Sequence, residues 1–149
     1  MTKFSGTIRP LAAADKAAWA PLWAGYLEFY EAMIAAEVSE RTFARLLDPA
    51  EPMFCLVAEE KGRVIGIVHC VLHRSTWTRG PYLYLQDLFV ALEVRGSGAG
   101  RALIEAVYAR ADELGAERVY WLTHESNATA RLLYDSVAER SGFIQYRRR

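Results

Sequence analysis

Residues 82–101, YLYLQDLFVALEVRGSGAGR, contain the elements from which the rest of the chain can be read. Tyr82 to Val90 is apolar on both alternating faces except at Gln86 and Asp87, the pattern of a central strand covered on both sides. Two adjacent polar residues in such a strand need partners, because a buried polar group left unpaired costs about 1–3 kcal/mol. Gln86 and Asp87 are therefore expected to be hydrogen-bonded inside the fold or to face a cleft. The turn that follows, Arg95-Gly96-Ser97-Gly98-Ala99-Gly100-Arg101, leads directly into a helix. A helix start presents unpaired N–H groups and the positive end of the macrodipole, and glycines let the backbone approach a ligand with no Cβ in the way. Three glycines at every second position are costly in chain entropy, so an anion cradle is a better account of them than a flexible turn.

Beyond this stretch the helix continues through Leu103, Ile104, Val107, Tyr108, Ala111 and Leu114, and Gly115 supplies its stop. Upstream, Phe4 to Arg9 reads as a strand. Ala13 to Glu31 reads as a helix with Trp19, Leu22, Trp23, Tyr26, Leu27 and Tyr30 on one face, and a second helix capped by Ser39 ends near Asp48-Pro49. Met53 to Glu59 and Val64 to Leu72 form a hairpin around Glu60-Lys61-Gly62-Arg63. Downstream, Arg118 to Leu122 is a strand, Asn127 to Val137 a helix and Phe143 to Tyr146 a last strand. The order predicts one α/β domain over residues 1–149, a mixed central sheet flanked by helices, with a parallel β-α-β crossover from 82–90 to 118–122.

Composition narrows the function. At 149 residues the chain suffices for one domain with its own core. Its 18 basic and 18 acidic residues cancel, which argues against nucleic acid or an anionic membrane as a partner held by net charge. The three arginines at 147–149 read as a solvated tail. No apolar run approaches the ~20 residues of a membrane span, and MTKFSGTIRP lacks the apolar core of a signal peptide, so a cytoplasmic location is expected. Cys55 and Cys70 lack metal-ligand spacing and read as core residues. His69 and His73 share a strand face without a third ligand, so no metal site is expected.

The identity of the anion can be tested against known spacings. A nucleotide P-loop needs G-x-x-x-x-G-K-[ST], and no lysine lies near. A dinucleotide fingerprint, G-x-G-x-x-G/A, fails in both registers, ending on Arg101 or Leu103. Arg95, Gly98 and Gly100 do fit [QR]-x-x-G-x-[GA], and the stretch 82–101 resembles the central strand and cofactor loop of the GNAT superfamily of N-acetyltransferases, especially its diamine and polyamine branch. Asn127-Ala-Thr-Ala130-Arg-Leu-Leu-Tyr134, in which an Asn precedes a helical Tyr by seven positions, resembles a second segment of that branch.

The resemblance implies acetyl-CoA as acyl donor, with no metal. Main-chain groups of Leu88, Phe89 and Val90 would bind its pantetheine arm as a peptide strand binds a sheet edge. Arg95, Gly96, Ser97, Gly98, Ala99, Gly100 and Arg101 would hold its pyrophosphate. Asn127 and Ala130 match further contact positions, although Asn127 also suits a helix N-cap. Tyr134 matches the general acid that protonates the departing thiolate, against the plainer reading of a core tyrosine. A main-chain N–H near Leu88 would stabilise the oxyanion formed when the amine adds.

At Gln86 the chain departs from the branch, which has a glutamate there. An amide cannot be a general base, so Gln86 is left to orient a water or the substrate. The base is then a chain of waters, Asp87, His124, Glu125, or Glu28 or Glu31 of the first helix. The aromatic residues of that helix, with its acids, suit a small cationic amine, and equally suit a core face. The expected activity is transfer of an acetyl group to a primary amine, by direct attack on the thioester, in a homodimer. The alternative is a module of the same fold that binds acyl-CoA without catalysis.

Overall fold

The computed structural model describes residues 3–148. The chain forms β1 (Thr7–Pro10), α1 (Lys16–Phe29), α2 (Ala36–Leu47), β2 (Met53–Glu60), β3 (Arg63–His73), β4 (Tyr82–Val90), α3 (Ala99–Glu113), β5 (Arg118–Tyr120) and α4 (Ala128–Val137), with single 3-10 turns at Ala13–Asp15 and Leu92–Val94. The five strands lie in sequence order in one sheet. Every neighbouring pair is antiparallel except β4 and β5, which are parallel and joined through α3, as the crossover predicts.

Each face of the sheet has its own core. Leu56, Val68, Cys70, Leu83 and Leu85 pack against Leu103, Ile104 and Val107 of α3 on one side. Cys55, Val57 and Ile67 pack against Trp19, Leu22 and Trp23 of α1 and Phe43 and Leu46 of α2 on the other. Full burial of each large apolar side chain contributes about 1.5–3 kcal/mol. Of the apolar face predicted for the first helix, Trp19, Leu22 and Trp23 are buried, Tyr26 and Leu27 are half-buried and Tyr30 is exposed; both cysteines are buried free thiols. No helix among the described residues is long and apolar enough to cross a membrane.

Turn chemistry agrees with the sequence at two places. Lys61 and Gly62 both have positive φ, 53° and 75°, the conformation that a two-residue hairpin turn requires between twisted strands. At the end of α3, the Gly115 N–H donates to Asp112 O and the Ala116 N–H to Ala111 O, with Gly115 at φ 70°; this is a Schellman stop.

Five expectations are corrected. α2 begins at Ala36, before Ser39, whose hydroxyl instead accepts the Trp23 indole N–H at 3.0 Å and ties α2 to α1. The first strand is shorter than expected, starting at Thr7, and β5 stops at Tyr120. The first helix opens as the 3-10 turn Ala13–Asp15 and ends at Phe29. The expected strand 143–146 does not join the sheet: Gly142 turns at φ 87°, and Phe143 and Tyr146 are 80% and 90% exposed. A strand exists only where an edge satisfies its N–H and C=O groups, and no edge of this chain reaches that segment. Arg149 lies outside the described residues.

Candidate active site

The glycine loop takes the form expected of an anion cradle. Gly96 has φ 82°, and Gly98, at φ 98°, is the N-cap of α3. A Cβ on Gly98 would meet nothing within 4 Å, so glycine is needed there for its backbone conformation and the space beside it is open. The first α-helical bond runs from Ala102 N–H to Gly98 O, which leaves the N–H groups of Ala99, Gly100 and Arg101 at the mouth of the helix. Ser97 Oγ is buried with no partner among the described residues. These donors, with no acidic side chain capping the helix, fit a pyrophosphate.

The two loop arginines point away from each other. Arg95 donates through Nε to Val90 O at 3.0 Å, and its guanidinium lies 5.0 Å from the Phe89 ring centroid and 5.9 Å from that of Phe29. Arg101 donates to Ser136 Oγ at 2.6 Å and so links α3 to α4.

β4 offers an open edge beside this cradle. It pairs with β5 only from Tyr82 to Tyr84, whereas its pairing with β3 continues to Val90. From Leu85 onward the side of β4 that faced β5 therefore has no strand partner, and Leu88, Phe89 and Val90 lie along that gap. An extended ligand can occupy it as an added strand would. α4 stands beyond the gap. Its N-cap Asn127 makes no side-chain cap; Nδ2 donates to Thr123 Oγ1 at 3.5 Å. Ala130 is half-buried on the same helix.

Tyr134 of α4 is half-buried, with its ring edge-on to Trp121 at 5.5 Å between centroids. Burial, and secondarily Tyr30, push its phenol up to about 12, so it carries its proton throughout the neutral range. Its hydroxyl has no hydrogen-bond partner among the described residues, so it can donate to an incoming ligand.

Gln86 occupies a bulge. His69 pairs with Asp87 and Cys70 pairs with Leu85, leaving Gln86 as the extra residue of β4, exposed. The bulge changes which residues face which helix. Leu83, Leu85, Leu88 and Val90 all pack toward α3, and Phe89 packs toward α1. Asp87 turns to the α1 side, where its Oδ2 lies 2.9 Å from Nδ1 of buried His69. The other candidate bases lie outside this pocket: Glu28, Glu31 and Glu125 are exposed, and His124 is engaged with Ser126. No group of three or more metal-ligating side chains occurs among the described residues.

Residues 19–138 match the family model described as Acetyltransferase (GNAT) family. The chain belongs to the GNAT acetyltransferases. It is 38% identical over 143 residues to the D-amino-acid N-acetyltransferase HPA3 of Saccharomyces cerevisiae, covering 95% of this chain and 89% of that protein. It is 33% identical over 141 residues to the uncharacterized N-acetyltransferase YhfO of Bacillus subtilis, covering 93% and 94%. Among solved structures, AAC(6')-Iy in complex with the bisubstrate analog CoA-S-monomethyl-acetylneamine superposes with a TM-score of 0.85 at 17% identity, over 97% of this chain and 98% of that one. At that identity the likeness is one of fold.

This GNAT protein is therefore an N-acetyltransferase, and the catalytic reading is favoured over a binding module. GNAT acetyltransferases use acetyl-CoA and an amine acceptor, and the donors around Gly98 fit that cosubstrate's anionic end. Sequence reasoning missed the connection of this site to Trp19 and His69, which it had placed only on a helix face and a strand face. The available signal was a histidine in an otherwise apolar strand with an unpaired aspartate in the next.

Proposed function

We propose that the enzyme transfers acetyl from acetyl-CoA to a small primary amine by direct attack of the amine on the thioester. The observation that carries this reading is the gap between β4 and β5, with the N-terminus of α3 at one end and Tyr134 of α4 packed against Trp121, one residue past β5. Main-chain groups of Leu88, Phe89 and Val90 line the gap for the pantetheine arm. Gly96 through Arg101 receive the pyrophosphate at backbone N–H groups, with Arg95 packing the loop onto Phe89. Asn127 and Ala130 contact the cosubstrate from α4. When bound, acetyl-CoA supplies the activated acyl group; Tyr134 gives its proton to the departing sulfur, and exposed Gln86 orients the acceptor.

Two supports favour a small acceptor. The identity to a D-amino-acid N-acetyltransferase points to a compact amine, and a diamine or polyamine-like amine suits the strand and loop motif quoted above. Tyr26, Tyr30 and Tyr84 surround the acceptor side with aromatic faces that attract a cation. The deciding experiment is CoA release from acetyl-CoA against diamines, D-amino acids and aminoglycosides, with Tyr134→Phe as control. Release with one class, lost in the variant, establishes that class; release with none of the three rejects the small-amine reading.

We further propose a cytoplasmic homodimer. Two buried unpaired thiols suit a reducing compartment. The exposed Phe143, Ile144 and Tyr146, and a sheet whose last strand is only three residues long, suit burial against a second copy. Light scattering on the full chain and on a variant with Phe143→Ser and Ile144→Ser tests this; a wild-type monomer overturns it.

A further inference from the structure

Residues 4–6 alternate like a strand in the sequence, yet β1 pairs with β2 only from Thr7 onward. Three other anchors hold them. The Ser5 N–H donates to Oε2 of Glu60 at 2.8 Å. Gly6 lies so close on β2 that a Cβ there would collide with the Glu59 carbonyl oxygen and the Phe4 ring. Phe4 is half-buried against the core on the α3 side of the sheet, and its N–H donates to the carbonyl oxygen of Ser97 at 2.7 Å. Instead of lengthening β1, the segment therefore reaches across to the glycine loop.

That one hydrogen bond orients a whole peptide unit. A trans peptide is planar and carries its C=O and N–H in opposite directions, and no peptide bond among the described residues is cis. With the Ser97 carbonyl held toward Phe4, the N–H of Gly98 in the same unit is aimed away from Phe4. This N–H donates to no backbone carbonyl among the described residues, and the space beside Gly98 is open.

The unit needs such a hold because its surroundings let it turn. Gly96 and Gly98 stand on either side of Ser97 at φ 82° and 98°. Turning over the Ser97–Gly98 peptide changes ψ of Ser97 and φ of Gly98, and glycine accepts either sign of φ. The turned unit would present a carbonyl oxygen where an N–H had been, and a carbonyl repels the anion that successive N–H groups attract.

We propose that Phe4 is a positioning residue for acetyl-CoA: its main-chain N–H fixes the Ser97–Gly98 peptide with the Gly98 N–H turned to the pyrophosphate. The Phe4 ring, Ser5 and Gly6 fasten the segment, and the Phe4 N–H transmits that fixed position to the loop. The proposal rests on the assignment of the pyrophosphate to residues 96–101 made above.

The test uses the full chain and two thioesters, acetyl-CoA and S-acetylpantetheine, the second having the same reactive arm without the pyrophosphate. Phe4→Pro removes the N–H, and Phe4→Leu keeps it beside a smaller apolar side chain. By calorimetry, Phe4→Pro is expected to weaken acetyl-CoA about tenfold and to leave S-acetylpantetheine within about twofold of wild type. Phe4→Leu is expected to recover most of the lost affinity. If Phe4→Pro prefers acetyl-CoA over S-acetylpantetheine as strongly as wild type does, the proposal is overturned and the pyrophosphate assignment stands. If wild type itself shows no preference, both are overturned. Equal weakening of both thioesters in Phe4→Pro and Phe4→Leu makes Phe4 part of the scaffold and overturns the proposal as well. Should Phe4→Pro fail to fold, hydrogen exchange on wild type decides, because coupling between loop and segment is reciprocal. Coenzyme A is then expected to slow exchange of the Phe4 amide about tenfold more than that of the Leu11 amide, which donates to Cys55 O of β2. Equal slowing of the two amides overturns the proposal.

Discussion

Gly25 of α1 stands against the ring of Phe89 in β4 so closely that a Cβ on Gly25 would lie 2.7 Å from Cζ of that ring. The same ring carries the guanidinium of Arg95, at the start of the glycine loop. α1 and β4 are therefore spaced by one missing methyl group.

Gly25→Ala should destabilise the enzyme even though alanine is the better helix former by about 1 kcal/mol. Forcing a methyl into that contact costs about 1–3 kcal/mol in displaced side chains, and urea unfolding would report the net value. A variant more stable than wild type would mean that Phe89 swings aside freely.

Tyr134→Phe keeps the ring against Trp121 and removes only the proton donor. A loss of kcat of about 100-fold is expected, with acetyl-CoA affinity near that of wild type. In an ultraviolet titration the variant should also lack the phenol that ionises near pH 12. Unaltered turnover would assign the proton to another group.

Gly98→Ala and Gly98→Asp separate strain from charge at the cradle. At φ 98° any side chain is strained, at about 1–2 kcal/mol, and both variants should melt earlier. Only the aspartate places negative charge at the start of α3, so it alone should weaken acetyl-CoA binding by tenfold or more. Equal affinities in the two variants would remove the pyrophosphate from this helix.

Stability should depend on pH through Asp15. Its two oxygens receive the two terminal nitrogens of Arg9 at 2.8 and 2.9 Å, and Oδ2 also accepts the Ala12 N–H at 2.7 Å. The Arg9 hydrogen bonds, the largest cause, hold the carboxyl below its ordinary value of 3.8. Below that value the unfolded chain binds the proton that the folded chain refuses, so the contribution is complete above pH 3.8 and is lost as pH falls through the lower folded value. Urea melts between pH 2 and 5 should show this slope in wild type and a shallower one in Asp15→Asn.

The sequence by itself determined what depends on neighbours along the chain. The Lys61-Gly62 hairpin turn, the Gly115 stop, the glycine loop ahead of α3 and the order of elements from β2 to α4 are local matters of φ, hydrophobic period and missing N–H partners, and the family resemblance rests on the same local stretches. Tertiary structure decided the rest. The bulge at Gln86 is a mismatch between two strands, which no single strand's alternation records, and it moves Asp87 to the other face of the sheet. Trp19, His69 and Asp87 meet only because α1, β3 and β4 pack together, with the indole N–H setting which ring nitrogen keeps the proton. Phe143 to Tyr146 shows the converse: its alternation suits a strand, yet it forms none within this chain, because backbone groups need an edge to pair with.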